Sequence, residues 1–269
     1  MTCIDLIGSG GFIGQSLIDN FGNYLQLRTW SHNPSSKDNH FDLNDISSWS
    51  NLVKAKPKIV LLLAWPGLPN YFSSHHITTN LCNSVKLIES LEHIQTLVVA
   101  GSCYEYGIQN GKLSVEDYAC PVTTYGLAKD TLQKVISTSL SYQRCFRFCW
   151  GRIFYPYGIN QNPLSLYPSL INAKKNRDSV LTFGNPNIVR DFIPVADVSK
   201  MLVQLCLDDK ANGIFNIGSG NPTTLKDFVD SILKKESIQV EVRYTNTSNR
   251  SFEPFSFWAD MSQWDMLGL

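Results

Sequence analysis

The sequence predicts an α/β fold, a doubly wound parallel sheet carrying a small, discontinuous α/β second unit. Three observations lead there. Short apolar-rich runs alternate with helix-spaced apolar residues over the first 150 positions; a glycine-rich turn joins the first run to the first helical pattern; and beyond Pro156 the alternation gives way to Pro- and Asn-containing loops with shorter elements. Residues 4–7, 25–30, 58–64, 96–100 and 145–150 read as strands covered on both faces. Residues 13–21, 77–91 and 125–140 place apolar side chains three and four apart, which marks the helices between those strands. A strand and a helix return at 191–207. The larger unit is therefore assigned residues 1–158 and 189–210, and the smaller one residues 159–188 and 211–269.

Composition narrows the function classes. The 269 residues carry 23 Lys and Arg against 23 Asp and Glu, with no basic block, so nothing suggests a nucleic-acid or membrane-surface footprint, and a small-molecule partner is expected. Seven cysteines, at 3, 82, 103, 120, 145, 149 and 206, are scattered and odd in number, the usage of reduced thiols in a cytosol. None pairs with a histidine at a metal-ligand spacing, so no metal site is expected. The chain enters a strand almost at once without a secretory signal, and its longest apolar run, 59–65, is too short for a bilayer. A cytoplasmic protein is the expectation.

Three motifs carry chemistry. Gly8-Ser-Gly-Gly11-Phe12-Ile13-Gly14 sits between the first strand and the first helix, where glycines let the backbone turn tightly and approach a pyrophosphate held at the helix N-terminus. Ser102 ends an apolar run and offers a hydroxyl that can hold a carbonyl oxygen. Tyr125-Gly-Leu-Ala-Lys129 places a phenol and an ammonium on one helix face. Each piece alone has a bland reading, a turn or a solvated helix face. Together, and in this order, they suit hydride transfer.

In that order the motifs resemble those of the extended short-chain dehydrogenases/reductases, the NAD-dependent epimerase/dehydratase family acting on nucleotide sugars, which includes UDP-galactose 4-epimerase and the 4-keto-6-deoxyhexose reductases. The resemblance covers nearly the whole chain and implies a Rossmann-type nucleotide unit with a nucleotide-sugar-binding cap. It places Gly8, Gly11, Phe12, Ile13 and Gly14 at the pyrophosphate, Asp42 and Leu43 beside the adenine, and Leu63, Ala64, Trp65 and Tyr155 along the cofactor groove. Relatives that use NAD carry an acid at the end of the second strand; Trp30-Ser31-His32-Asn33 holds none. That leans toward NADP, with Ser31, His32 and Lys37 near the 2′-phosphate, although NAD held through other contacts stays open.

By the same resemblance Ser102 polarises the sugar carbonyl, Tyr125 exchanges the proton, and Lys129 holds the nicotinamide ribose while its charge favours the phenolate of Tyr125. Beside Ser102 the chain carries Cys103 and Tyr104 where the family's dehydratases carry Asp and Glu, which argues against dehydration. The thiol of Cys103 stands one position before that of the 3,5-epimerases and is expected to be buried and turned from the sugar. Arg190 and Arg250 match the diphosphate-binding arginines, Ser165, Leu166 and Phe183 the nucleotide contacts, and Tyr104 and Tyr155 the sugar side, Tyr155 replacing a frequent Asn. The chain stops at Leu269 where relatives continue, which suggests a reduced cap. His75 and His76 read as a polar loop pair, and residues 65–69 as a flexible lip over the nicotinamide.

The leading expectation is an NAD(P)H-dependent reductase of the 4-keto group of a nucleotide-diphosphate 6-deoxyhexose, in surface-polysaccharide (lipopolysaccharide, O-antigen) sugar synthesis. A 4-epimerase retaining tightly bound NAD is the alternative, and a non-catalytic dinucleotide-binding relative a third. Family relatives pair through the helices corresponding to 77–91 and 125–140, so a homodimer is expected.

Overall fold

The computed structural model describes residues 3–33, 38–176, 179–245 and 251–267; Lys37 and Arg250 lie outside them. Seven strands form the central sheet: β1 (Cys3–Ile7), β2 (Gln26–Ser31), β3 (Asn39–His40), β4 (Ile59–Leu62), β5 (Thr96–Ser102), β6 (Arg147–Ile153) and β7 (Gly213–Ile217). They lie in the order β7-β6-β5-β4-β1-β2-β3, every pairing parallel. Ile4, Leu6 and Ile7, Val60 to Leu62 and Leu97 to Val99 are buried almost completely, as strands covered on both faces require.

Among the described residues six helices of nine or more residues cover the sheet and build the cap: α1 (Phe12–Phe21), α2 (Cys82–Ser90), α3 (Thr124–Val135), α4 (Leu166–Asn176), α5 (Val195–Leu207) and α6 (Leu225–Glu236). On one face of the sheet, Leu17 of α1 and Val198, Leu202 and Leu205 of α5 pack against Leu6, Leu61 and Val98. On the other, Leu87 and Ile88 of α2 and Leu132 of α3 pack against Val60, Leu62, Leu97 and Val99. Because the order reverses at β1, whose neighbours are β2 and β4, a crevice opens at the carboxyl ends of β1 and β4, where α/β sheets take ligands.

The strand expected at 145–150 begins two residues late. Cys145 caps the short helix Ser141–Arg144 in the left-handed region, at φ 55°, so the extended backbone starts at Arg147. Both long helices expected on that face contain a π-helical turn, at His76–Leu81 before α2 and at Ile136–Leu140 after α3.

Part of the segment expected in the smaller unit, residues 213–217, lies in the central sheet. Residues 213–217 pair with β6 from Gly213↔Cys149 to Ile217↔Ile153 and bury Phe215 and Ile217 in the main core, so they belong to the central sheet. Their helix precedes rather than follows them, which hid them from a strand-then-helix reading. The final short helix, Ser262–Leu267, returns to the same core through Trp264. A separate small core gathers Leu170 of α4 with Leu225, Phe228, Val229 and Ile232 of α6, flanked by the strand pair Val180–Phe183 and Glu241–Tyr244.

Candidate active site

Ser102 is the last residue of β5 and the N-cap of the short helix Cys103–Glu105. Its Oγ accepts from the Tyr104 N–H at 3.2 Å, and its own N–H donates to Glu105 Oε1 at 2.7 Å, a reciprocal cap that fixes the seryl group. Glu105 is wholly buried and also accepts from Trp150 Nε1 at 3.0 Å and Arg152 Nε at 2.8 Å, both on β6. Sequence reasoning passed over Glu105; its spacing of three from Ser102 is the capping-box signal that could have found it.

The phenol arrives from α3. Thr123 caps this helix by accepting from Gly126 N–H at 3.0 Å. A Cβ at Gly126 would stand 2.5 Å from the Tyr104 carbonyl, so only glycine lets α3 approach the Ser102 segment this closely. The Tyr125 hydroxyl is turned to the Ser102 side, and Ser102 works against burial in setting its acidity. One turn on, Lys129 is buried with its Nζ donating to the Ala100 carbonyl at 2.7 Å and lying 3.9 Å from the centre of the Trp65 ring. Trp65, Tyr71, His76 and Tyr104 surround the Tyr125 ring edge-on at 5.4 to 6.2 Å. Tyr71 stacks on Tyr104 at 4.8 Å, and Phe252 closes over both.

Burial dominates the electrostatics here. It pushes the Tyr125 phenol well above its usual range, and it lowers Lys129 from 10.5 to about 7. The Lys129 ammonium is turned to Ala100 and Trp65, and at Tyr125 desolvation of the phenolate outweighs the neighbouring groups. A protonated phenol beside a seryl hydroxyl is a proton donor to an oxygen placed between them.

The crevice at β1 fits a dinucleotide. Gly8 follows β1 at φ 98°, and a Cβ there would meet the Ala64 backbone nitrogen at 2.7 Å; one at Gly14 would meet the Gly8 carbonyl at 2.4 Å. Gly11 is the N-cap of α1 with no side-chain cap and no acid in the first turn, which leaves the helix N–H groups and dipole to an anion. Phe12 and Ile13 open that turn, half-buried. Leu63 and Ala64 end β4 by donating to the Ile7 carbonyl at 2.8 and 3.0 Å, which brings Trp65 into the same crevice.

Around the adenosine end the structure redistributes the expected roles. Ser31 is buried against the glycine loop at Gly10, its hydroxyl donating to the Asn33 carbonyl at 3.3 Å. His32 is exposed, with its Nδ1 3.0 Å from Asp42 Oδ2. Leu43 is core. The carboxylate missing from residues 30–33 comes from Asp38, whose Oδ1 accepts from Ser9 Oγ of the glycine loop at 3.1 Å.

Several of the residues expected on the substrate side are engaged within the protein. Cys103 is buried among Leu113, Phe154 and Phe257, with its thiol pushed up by burial. Tyr104 donates to Glu253 Oε1 at 2.6 Å. Arg190 is buried: NH2 donates to Glu253 Oε2 at 3.0 Å and NH1 to the Val189 and Phe255 carbonyls at 2.8 and 3.1 Å, between the rings of Tyr155 and Phe257. It ties 189–190 to 253–255 and is not turned to an open cleft. Tyr155 packs edge-on against Phe192 and Phe257. Leu166 and Phe183 flank the small core, while Ser165 opens α4 and accepts from Ser169. His76 is the clearest reversal: instead of a polar loop it is fully buried beside Tyr125, because the π-helical turn carries it inward. Among the described residues no group of three His, Cys, Asp or Glu could hold a metal ion, and no helix is long and apolar enough to cross a membrane.

Comparison with known proteins agrees with this geometry. The chain is 29% identical over 249 residues to a GDP-6-deoxy-D-talose 4-dehydrogenase of Aggregatibacter actinomycetemcomitans, covering 88% of this chain and 81% of that one. To the dTDP-6-deoxy-L-talose 4-dehydrogenase (NAD(+)) of the same organism it is 23% identical over 201 residues, 74% of each. Among solved structures, MoeE5 in complex with UDP-glucuronic acid and NAD superposes with a TM-score of 0.81 at 23% identity, covering 100% of this chain and 93% of that one. Residues 4–218 match the family model for NAD-dependent epimerases and dehydratases, which spans the glycine loop, Ser102, Tyr125 and Lys129, and the chain is a member of that family.

Proposed function

We propose that this protein reduces the 4-keto group of a nucleotide-diphosphate 6-deoxyhexose to a 4-hydroxyl, in the cytoplasm, in the supply of sugars for surface polysaccharide such as O-antigen. One observation carries the reading: a buried, protonated Tyr125 on the Ser102 side and one turn from Lys129, in a site whose flanking acid, Glu105, is spoken for by Arg152 and Trp150. That arrangement delivers one proton and lacks a second acid–base pair for loss of water. The 6-deoxytalose 4-dehydrogenases among the relatives act at the same carbon of the same sugar class, which supports the substrate.

In this reading Ser102 Oγ and the Tyr125 hydroxyl donate to the ketone oxygen, and Tyr125 gives up its proton as alkoxide charge develops there. Lys129 places positive charge behind the phenolate as it forms. The aromatic wall of Tyr71, Tyr104 and Phe252 keeps water from the reacting oxygen and suits a methyl rather than a hydroxymethyl at C6. The nicotinamide supplies the hydride.

For the dinucleotide, Asp38 at the glycine loop favours the paired ribose hydroxyls of NAD over the 2′-phosphate of NADP, so NADH replaces NADPH as the proposed reductant. The same acid also favours a second reading, a 4-epimerase that grips NAD through turnover. The two separate cleanly. A reductase consumes one NADH per 4-keto sugar and carries deuterium from labelled NADH to sugar C4. Stoichiometric bound NAD, with interconversion of two 4-hydroxy sugars and no deuterium uptake, establishes the epimerase instead. We also propose a homodimer through the helices spanning 77–91 and 125–140; light scattering reporting a monomer over a broad concentration range would rule it out.

A further inference from the structure

The lip at 65–70 is anchored by polar side chains that the reaction itself leaves unused. Trp65 Nε1 points at His76 Nδ1, 3.1 Å away. An indole N–H only donates, so Nδ1 must accept and the imidazole proton sits on Nε2, which is 2.7 Å from the Asn70 carbonyl and donates to it. Asn80, one π-turn later, donates to the Pro66 carbonyl at 2.8 Å. His76 and Asn80 are both fully buried. The indole lies at 17° to the imidazole with ring centres 6.3 Å apart, and its face stands over the Lys129 ammonium.

We propose that His76 is a positioning residue: as a neutral Nε2–H imidazole it holds the Trp65 indole over Lys129 and keeps water from the Lys129–Tyr125 pair. This rests on the proposed roles of that pair in proton transfer. Protonation of His76 would set two N–H groups against each other at Trp65, so the device requires neutrality, and burial does hold its pKa below the usual 6.5. The titratable groups facing it are His75, Lys129 and the Tyr125 phenol; Glu105 faces Lys129, and Glu105, Tyr71 and Cys103 face Tyr125.

The indole acts on Lys129 in two opposite ways. As a π-face it favours the ammonium by about one pH unit. As a cover it excludes water and disfavours the charge, in the same sense as the burial that lowers Lys129 from 10.5 to about 7, and in the proposal this second effect is taken as the larger. Losing the indole should therefore raise the Lys129 midpoint.

The test uses the full chain labelled with 15N-histidine and 13Cε-lysine, Lys129 being assigned by its loss in Lys129→Met. In the wild type His76 should show the Nε2–H tautomer unchanged from about pH 6 to 8. His76→Phe keeps a ring but no acceptor, and its Lys129 midpoint should rise by about one pH unit or more; the alkaline limb of turnover should rise with it. His76→Asn, whose amide oxygen can stand near the Nδ1 position, should restore most of the wild-type midpoint. Should His76→Phe not fold, Trp65→Phe removes the donor from the other side and should both free the tautomer and raise the midpoint. An Nδ1–H tautomer in the wild type, or a Lys129 midpoint that stays or falls in a folded variant, overturns the proposal. Because both spectra need no substrate, they are independent of whether the 4-keto sugar is turned over.

Discussion

Replacing Lys129 by Met should abolish turnover and at the same time stabilise the fold near neutral pH. In the unfolded chain this lysine titrates at its ordinary value, and in the folded protein burial lowers it from 10.5 to about 7. Between those values the unfolded chain binds more protons, so the lysine's contribution to stability rises with pH across the window and is least favourable below about pH 7. The displacement corresponds to roughly 5 kcal/mol at pH 6. Against it stand the hydrogen bond to Ala100 at 2.7 Å and the indole contact at 3.9 Å, each about 1 kcal/mol, so Met should gain roughly 3 kcal/mol there. For a chain of this size that is about 6–12 °C in Tm. The advantage should shrink as pH rises and be gone by about pH 10. Thermal melts of both proteins at about pH 6 and 9.5 measure it. A variant less stable than wild type at the lower pH, or a difference equal at both, refutes the assignment of a destabilising buried ammonium.

Tyr125→Phe keeps the ring among Trp65, Tyr71, His76 and Tyr104 but removes the proton, so steady-state turnover should fall by about 10²–10⁴ while calorimetric NADH affinity holds. Asp38→Asn should raise the ratio of kcat/KM for NADPH over NADH by about tenfold or more, through loss of like-charge repulsion at the 2′-phosphate; an unchanged ratio removes Asp38 from cofactor choice. Glu105→Gln leaves buried Arg152 without its counter-charge and should lose roughly 3–5 kcal/mol in urea denaturation. The double variant Glu105→Met with Arg152→Met should recover most of that, yet still turn over slowly because Ser102 has lost its cap.

What could be read from the sequence was local. The glycine loop, the strands feeding it, and the four-residue step from Tyr125 to Lys129 are each set by neighbours within a turn or two, and the structure brings Ser102, Tyr125 and Lys129 together as expected. Features made by distant chain meeting were not legible. β7 joins the sheet more than 60 residues after its partner β6. Arg190 was expected at a diphosphate, yet Glu253, 63 residues on, takes its guanidinium. The acid that meets the glycine loop lies at Asp38, beyond residues 30–33 where the sequence led it to be expected.

The same distinction explains the site's electrostatics. A motif names a phenol and an ammonium but says nothing of what covers them, and the sign of a pKa shift depends on the cover. From spacing alone the ammonium should lower the phenol; with Trp65, His76 and Tyr71 packed around the pair, desolvation raises Tyr125 and lowers Lys129 instead. For the proposed reduction the consequence is simple: a phenol that burial keeps protonated is the form that gives a proton to a ketone oxygen.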